Sequence, residues 1–330
     1  MGASGQDGSL VCDLLLEKGY IVYGVIRRAS NFNTQRIEHI LDKIHLFYGD
    51  LTDPLRVLEI IKTVQPHEIY NFAAQSHVKV SCDNPWYTTN VNSLGVLSIL
   101  EAVRILGLHQ KTKVYNAMTS EMYGNVTDGT VKLTEDTPMI PVSPYGIGKL
   151  AAYHLGNYYR DGHNMFVVNS ILLNHEGERR GPTFVTQKIA QFVGKYKKTG
   201  EGVLLLGNLN ACRDFGYAKD YVEGIYLMMQ NTKPENFVLA TGEEHSVREF
   251  AELAFKRINI TIEWKGTGDQ EKGYNSVTQK LLVSVDPEYY RPIDIHHLIG
   301  DYSKAKRILG WEPKVKFRDI VQRMVDAALL

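Results

Sequence analysis

The sequence is poor in cysteine: Cys12, Cys82 and Cys212 are the only three in 330 residues, far apart and in no CxxC pair. That argues against a disulfide framework or a structural zinc site, and it fits a reducing compartment. Neither sign of charge is in excess, since 37 Lys and Arg balance 37 Asp and Glu to a formal net charge of zero. Nothing general draws such a chain to nucleic acid or to an anionic membrane, so any anion site must be a local cluster. No apolar run approaches the roughly 20 residues that span a bilayer. Met1-Gly2-Ala3-Ser4-Gly5 is unlike a secretory signal. A soluble, cytoplasmic protein is expected, with no nucleic-acid and no membrane partner.

What is present is globular: 44% hydrophobic and 22% charged residues. Short β-rich runs at Tyr20–Ile26, Ile44–Tyr48, Glu68–Ala73, Lys113–Met118 and Met165–Leu172 read as buried strands. Helical segments alternate with them near Gly8–Lys18, Pro54–Val64, Val91–Leu106 and Pro144–Asp161. Asp53-Pro54 and Ser143-Pro144 each place a capping residue before a proline, a good helix start. This alternation predicts an α/β protein with a Rossmann-like, doubly wound parallel sheet over residues 1–173. Beyond it the pattern loosens into a smaller mixed α/β lobe, residues 174–330, with segments near 208–240 and 287–300 returning to the first domain. Helices recur there near Phe184–Lys197, Asp220–Gln230, Val247–Ile258, Ser303–Leu309 and Phe317–Ala328.

Gly2, Gly5 and Gly8 form a GxxGxxG pattern directly before a helix. Glycines there let backbone approach a pyrophosphate that rests on the helix N-terminus. Alone the pattern is weak, and it is expected to follow a buried strand that Met1 by itself does not supply. About 20 residues further on, an NAD site offers Asp or Glu to the ribose. This chain offers Arg27 and Arg28, which suit a 2′-phosphate and favour NADP.

Tyr145 and Lys149 stand four apart, on one face of a helix. A nearby ammonium stabilises phenolate and makes tyrosine a usable base. Tyr302 and Lys306 repeat the spacing without a strand before them, and read as structural. Upstream of Tyr145, a strand ends in Thr119-Ser120-Glu121. A hydroxyl and a carboxylate at the C-terminal edge of a parallel strand point into the ligand crevice. His175 and Glu176 do not open a zinc-protease motif, because Arg179 stands where the second histidine belongs. No other spacing calls for a metal, and His296-His297 reads as surface or core.

With these pieces in hand, the chain resembles the extended short-chain dehydrogenases/reductases, and within them the GDP-mannose 4,6-dehydratase family. The resemblance rests on GQDGS at 5–9, RRAS and FNT between 27 and 34, YGDL at 48–51 and AAQSHV at 73–78. It continues through TSEMYG at 119–124, SPYGIGK at 143–149, NHE and RRG between 174 and 181, and FVTQKI at 184–189. RDFG at 213–216, ATGEEHSVREF at 240–250, YYRP at 289–292 and GWEP at 310–313 complete it. The chain departs at NHEGERRG, where the family commonly has NHESPRRG, at Phe215 for Trp, and at Asp294 for Glu.

The resemblance implies loss of water from GDP-mannose, giving GDP-4-dehydro-6-deoxy-mannose, with NADP reduced and then reoxidised. It assigns Tyr145 as base at the C4 hydroxyl, Lys149 and the nicotinamide as the charges that lower its pKa, and Thr119 as a hydrogen-bond partner. Glu121 takes the C5 proton and assists departure of the C6 hydroxyl, a double role that suits a carboxyl brought toward neutrality by burial. Implied cofactor contacts are Gly2, Ala3, Ser4, Gly5, Gln6, Asp7, Arg27, Arg28, Asp50, Leu51, Phe72, Ala73, Ala74, Gln75, Ser76, Tyr87, Lys149, His175 and Arg180. Asn174, Lys188, Arg213 and Arg291 match sugar-nucleotide positions. The segment Arg27–Thr34 reaches a neighbouring subunit in this family, so a homo-oligomer, dimer or tetramer, is implied.

Two other classes compete with this reading. One is another sugar-nucleotide dehydratase or an epimerase, and the carboxylate of Glu121 speaks against the epimerase. The other is a non-catalytic NADP-binding regulator, which could dispense with Thr119, Glu121, Tyr145 or Lys149, all present here. One site holding NADPH beside a 4-keto sugar also suggests a further reduction of the product.

Overall fold

The computed structural model describes residues 1–290 and 293–330. The first half runs helix α1 (Gln6–Glu17), strands β1 (Tyr23–Ile26) and β2 (His45–Tyr48), α2 (Pro54–Val64), β3 (Glu68–Asn71), α3 (Val78–Asp83) and α4 (Pro85–Thr89). It continues with α5 (Gly95–Ile105), β4 (Lys113–Thr119), α6 (Pro144–His163), β5 (Val167–Leu172) and β6 (Asn174–Glu176). Local chemistry sets the starts of two helices. Asp53 accepts from Arg56 N at 3.0 Å and Ser143 from Gly146 N at 3.1 Å, each with proline in the first turn.

The second half holds α7 (Val185–Thr199), β7 (Leu204–Leu206), β8 (Cys212–Arg213), β9 (Phe215–Tyr217), α8 (Ala218–Gln230), β10 (Phe237–Leu239) and β11 (His245–Ser246). Then come α9 (Val247–Arg257), β12 (Ile262–Lys265), β13 (Lys272–Asn275), β14 (Leu281–Val285), α10 (Ser303–Leu309) and α11 (Phe317–Leu329).

The central sheet has the order β10-β5-β4-β3, and every pairing in it is parallel. All six residues of β5 are buried, as a strand covered on both faces requires. On one face Ile99, Leu100, Val114 and Ile171 share a core; on the other Leu10, Tyr115, Val168, Tyr221 and Phe237 share a second. β1 and β2 form a separate parallel pair. Residues 1–3 run between the two sheets: the Met1 ammonium donates to Tyr70 O at 2.7 Å, Phe72 N to Met1 O at 3.1 Å, and Gly2 N to Val25 O at 2.9 Å. A buried strand is expected at β2, yet His45, Leu46 and Tyr48 are exposed because β2 is the edge of a two-stranded sheet.

A third core gathers residues of α7, α9 and α11 with β7 and β14, among them Val193, Phe250, Phe255, Val283 and Met324. Its sheet is ordered β12-β13-β14-β7. No helix among the described residues is long and apolar enough to cross a membrane.

Candidate active site

The turn before α1 is built for close backbone approach. A Cβ on Gly8 would lie 2.1 Å from Gly2 O, and one on Gly2, which has φ +78°, 2.9 Å from Ala73 N. Only glycine allows these backbone segments to pack so closely, and the resulting turn lines a cleft of about 1380 Å³. Gln6 Oε1 is buried there without a hydrogen-bond partner.

Asp7 puts a carboxylate in that same first turn. His175 Nε2 meets Asp7 Oδ2 at 3.0 Å, while its Nδ1 lies 2.9 Å from Leu173 O and its ring stacks on Tyr221. Burial disfavours both charges, but their mutual attraction and hydrogen bond outweigh it, holding Asp7 below and His175 above the ordinary values. The pair cancels a negative charge that would otherwise face an anion at the helix end.

The chemistry-bearing groups converge on the end of β4. Thr119 Oγ1 accepts from Glu121 N at 3.2 Å, starting a 3₁₀ turn that buries both residues. α6 begins against this turn. A Cβ on Gly146 would meet Glu121 O at 2.7 Å, so glycine is required for the approach. Tyr145 shares a side-chain hydrogen bond with Thr119. Burial pushes Tyr145 up to about 12, opposed by that hydrogen bond, raised further by Glu121 and Asp7 and lowered by Arg180. The lowered value expected beside Lys149 is therefore not found in the protein alone. Lys149 Nζ instead donates to Ala117 O at 2.8 Å, and burial brings Lys149 down to about 8.

One cleft brings together most of the residues singled out in the sequence. Gly2, Ser4, Gly5, Gln6, Asp7, Arg27, Asp50, Leu51, Phe72, Ala73, Ala74, Gln75, Ser76, Tyr87, Thr119, Glu121, Tyr145, Lys149, Asn174, His175, Arg180, Lys188 and Arg213 all line it. Arg27 Nη1 donates to Tyr87 Oη at 2.7 Å. Arg180 pairs with Glu176 at 3.0 Å and covers the Phe184 ring at 3.9 Å. Lys188 Nζ lies 3.5 Å from the Tyr289 ring centroid, and Arg213 Nη1 donates to Ile295 O at 2.8 Å.

Two residues are not among the lining. Ala3 is buried beneath the loop, 3.1 Å from where a Gly24 Cβ would stand. Arg28 turns away, donating to Ala29 O with its guanidinium 5.9 Å from the Tyr48 ring centroid. Arg291 lies outside the described residues.

The cleft also contains groups that the sequence pattern did not single out. Arg36 donates from Nε to Arg179 O at 2.7 Å and from Nη1 to Ser4 O at 3.4 Å, tying the basic segment to the glycine turn. Lys79 and Asn208 also line the cleft, with Tyr289 of the YYRP motif and Asp294. Asp294 contacts Arg213 at 3.4 Å, a pairing with no sequence-local signal across 81 residues.

A family model described as GDP-mannose 4,6 dehydratase matches residues 1–324. The chain belongs to the GDP-mannose 4,6-dehydratase family. It is 49% identical over 334 residues to the GDP-mannose 4,6 dehydratase of Homo sapiens, covering 99% of this chain and 89% of that protein. Against the GDP-mannose 4,6-dehydratase of Sinorhizobium fredii it is 47% identical over 331 residues, 98% of this chain and 94% of that one. Among solved structures, it is similar to the UDP-glucose 4-epimerase of Thermus thermophilus in complex with NAD. There the TM-score is 0.83 and the identity 26%, covering 99% of this chain and 97% of that chain. The family assignment and the parallel α/β architecture agree.

Proposed function

We propose that this member of the GDP-mannose 4,6-dehydratase family converts GDP-mannose to GDP-4-dehydro-6-deoxy-mannose and water, with NADP as its cofactor. The observation that carries the reading is the convergence of Thr119, Glu121, Tyr145 and Lys149 on one end of β4, inside the cleft that begins at the glycine turn.

The Gly2–Asp7 turn, Gln75, Tyr87, Lys149 and His175 would hold NADP, and the start of α1, which lines the cleft, suits a pyrophosphate. When bound, NADP supplies a hydride acceptor and donor together with a positive charge beside the phenol. Arg27, with its guanidinium in the cleft, favours the 2′-phosphorylated form. Asn174, Lys188 and Arg213 would take the sugar nucleotide.

Tyr145, hydrogen-bonded to Thr119, takes the proton of the C4 hydroxyl. Burial opposes the phenolate and Arg180 offsets it only in part, so further positive charge is needed to bring Tyr145 into range, a role we assign to Lys149 together with the bound nicotinamide. Glu121 takes the C5 proton once C4 is a ketone, then donates a proton to the departing C6 hydroxyl. Thr119 orients the C4 oxygen throughout. An epimerase needs no carboxylate in this position, which favours the dehydratase reading.

The test is purified protein with GDP-mannose and a trace of NADP⁺, followed by mass spectrometry of the nucleotide sugar. Loss of one water, with many turnovers per cofactor, is the expected result. An unchanged mass, with a new sugar configuration by NMR, would overturn it in favour of an epimerase.

A further inference from the structure

Outside the cleft, three side chains of different ligand chemistry meet on one face of an extended patch. Cys212 Sγ, Glu244 and His297 offer ligand atoms that all lie within 4.8 Å of one another, and all three residues are half-buried. Backbone pairing puts them there. β11 runs antiparallel to β8 with Ser246 opposite Cys212, so the two-residue strand period places Glu244 on the same face. On the other edge, Cys212 N donates to His296 O at 3.1 Å and Asp214 N to Leu298 O at 2.9 Å, which sets Cys212 beside His297.

His297 Nδ1 lies 3.1 Å from Glu244 Oε1 and 3.2 Å from Oε2. Gly129 borders the patch. A Cβ there would stand 2.9 Å from His297 Nδ1 and 3.1 Å from Glu244 Oε1, so glycine keeps the space over these ligand atoms open.

We propose that Cys212, Glu244 and His297 form a Zn²⁺ site with solvent in the fourth position. Thiolate, imidazole and carboxylate are a zinc donor set, and a small inward movement brings their atoms to tetrahedral spacing. Softer than an all-oxygen cluster, this set selects against Mg²⁺ and Ca²⁺. On binding, the Cys212 thiol gives its proton to solvent and gives up its contact with Asn210 O. The metal links three chain segments on the face of β8 opposite Arg213. Because Arg213 donates to Ile295 O, next to His296, Zn²⁺ holds in place the segment that positions a cleft arginine. The site stands independently of the dehydratase reading, because its test reads metal rather than turnover.

Co²⁺ titrated into the full-length protein is the direct probe. One equivalent is expected to give intense visible bands of a tetrahedral site and a thiolate-to-cobalt charge-transfer band, both bleached by Zn²⁺. Cys212→Ser removes the charge-transfer band, whereas Cys82→Ser, at an exposed cysteine, leaves it. His297→Ala weakens Co²⁺ binding by about tenfold or more, a loss at least as large as removing an outer partner. No charge-transfer band at one equivalent, or a band that survives in Cys212→Ser, overturns the site.

Discussion

The Asp7 carboxylate and the His175 imidazole meet at 3.0 Å across 168 residues, joining the glycine turn to the end of the central sheet. The acid belongs to the first turn of α1 and the base to β6. Their pairing keeps a negative group beside the proposed phosphate site from acting as one.

That pair has a definite pH signature. Asp7 is held low, so its contribution to stability is present above its unfolded value of 3.8 and is lost as pH falls through the folded value. His175 is held high, so its contribution is complete below 6.5 and is lost as pH rises through the folded value. Thermal melts of the protein and of Asp7→Asn are therefore expected to differ most between pH 3.8 and 6.5, with the gap narrowing on either side. A gap that is constant with pH would show that the two groups are not coupled.

Glu121→Gln is expected to stop dehydration yet permit some C4 oxidation, whereas Tyr145→Phe suppresses both. Losses of about 10²–10⁴-fold are typical for a removed acid–base group. Mass spectrometry of the sugar and absorbance of reduced cofactor separate the two outcomes. Near-normal dehydration by the Gln variant would remove Glu121 from its assigned role.

Gly8→Ala places a Cβ 2.1 Å from Gly2 O. The turn must open, at a cost of about 1–3 kcal/mol in stability, the usual range for overpacking. NADP affinity, measured by calorimetry, is expected to fall with it, because the displaced atoms form the cradle.

Asp214, in the motif RDFG, ties two otherwise separate segments of chain to its own. It accepts from Thr241 N at 2.8 Å, Thr241 Oγ1 at 2.7 Å, Gly242 N at 2.9 Å and Gly300 N at 3.2 Å. Asp214→Asn turns an amide N–H₂ toward some of these donors and costs about 1–3 kcal/mol for each one left unpaired. Burial pushes Asp214 up to about 6, so the native state holds a proton that the unfolded chain has lost between 6 and 3.8. The stability gap between protein and variant, read by urea denaturation, is expected to widen as pH falls through that interval.

The parts of the fold legible in the sequence are those with local causes. α2 and α10 begin and end where the pattern places them, at Pro54–Val64 and Ser303–Leu309. A capping aspartate with proline marks the first, and glycine closes the second. The helix expected from Val91 instead starts as a π-turn over Asn90–Leu94. There Asn92 accepts from Gln75 N and donates to Gln75 O, each at 2.9 Å, a contact invisible to periodicity.

The same division runs through the site. The glycine turn, the Thr119–Glu121 strand end and the shared helix face of Tyr145 and Lys149 are readable from residue order, because spacing along a strand or helix sets direction. Tertiary structure alone decided that Asp7 finds His175, that Arg36 reaches Ser4, that Asp294 meets Arg213, and that Cys212, Glu244 and His297 converge. It also decided that Tyr145 stands near 12 and Lys149 near 8, since burial and the charges brought by distant segments, not the residue type, set the cost of ionisation.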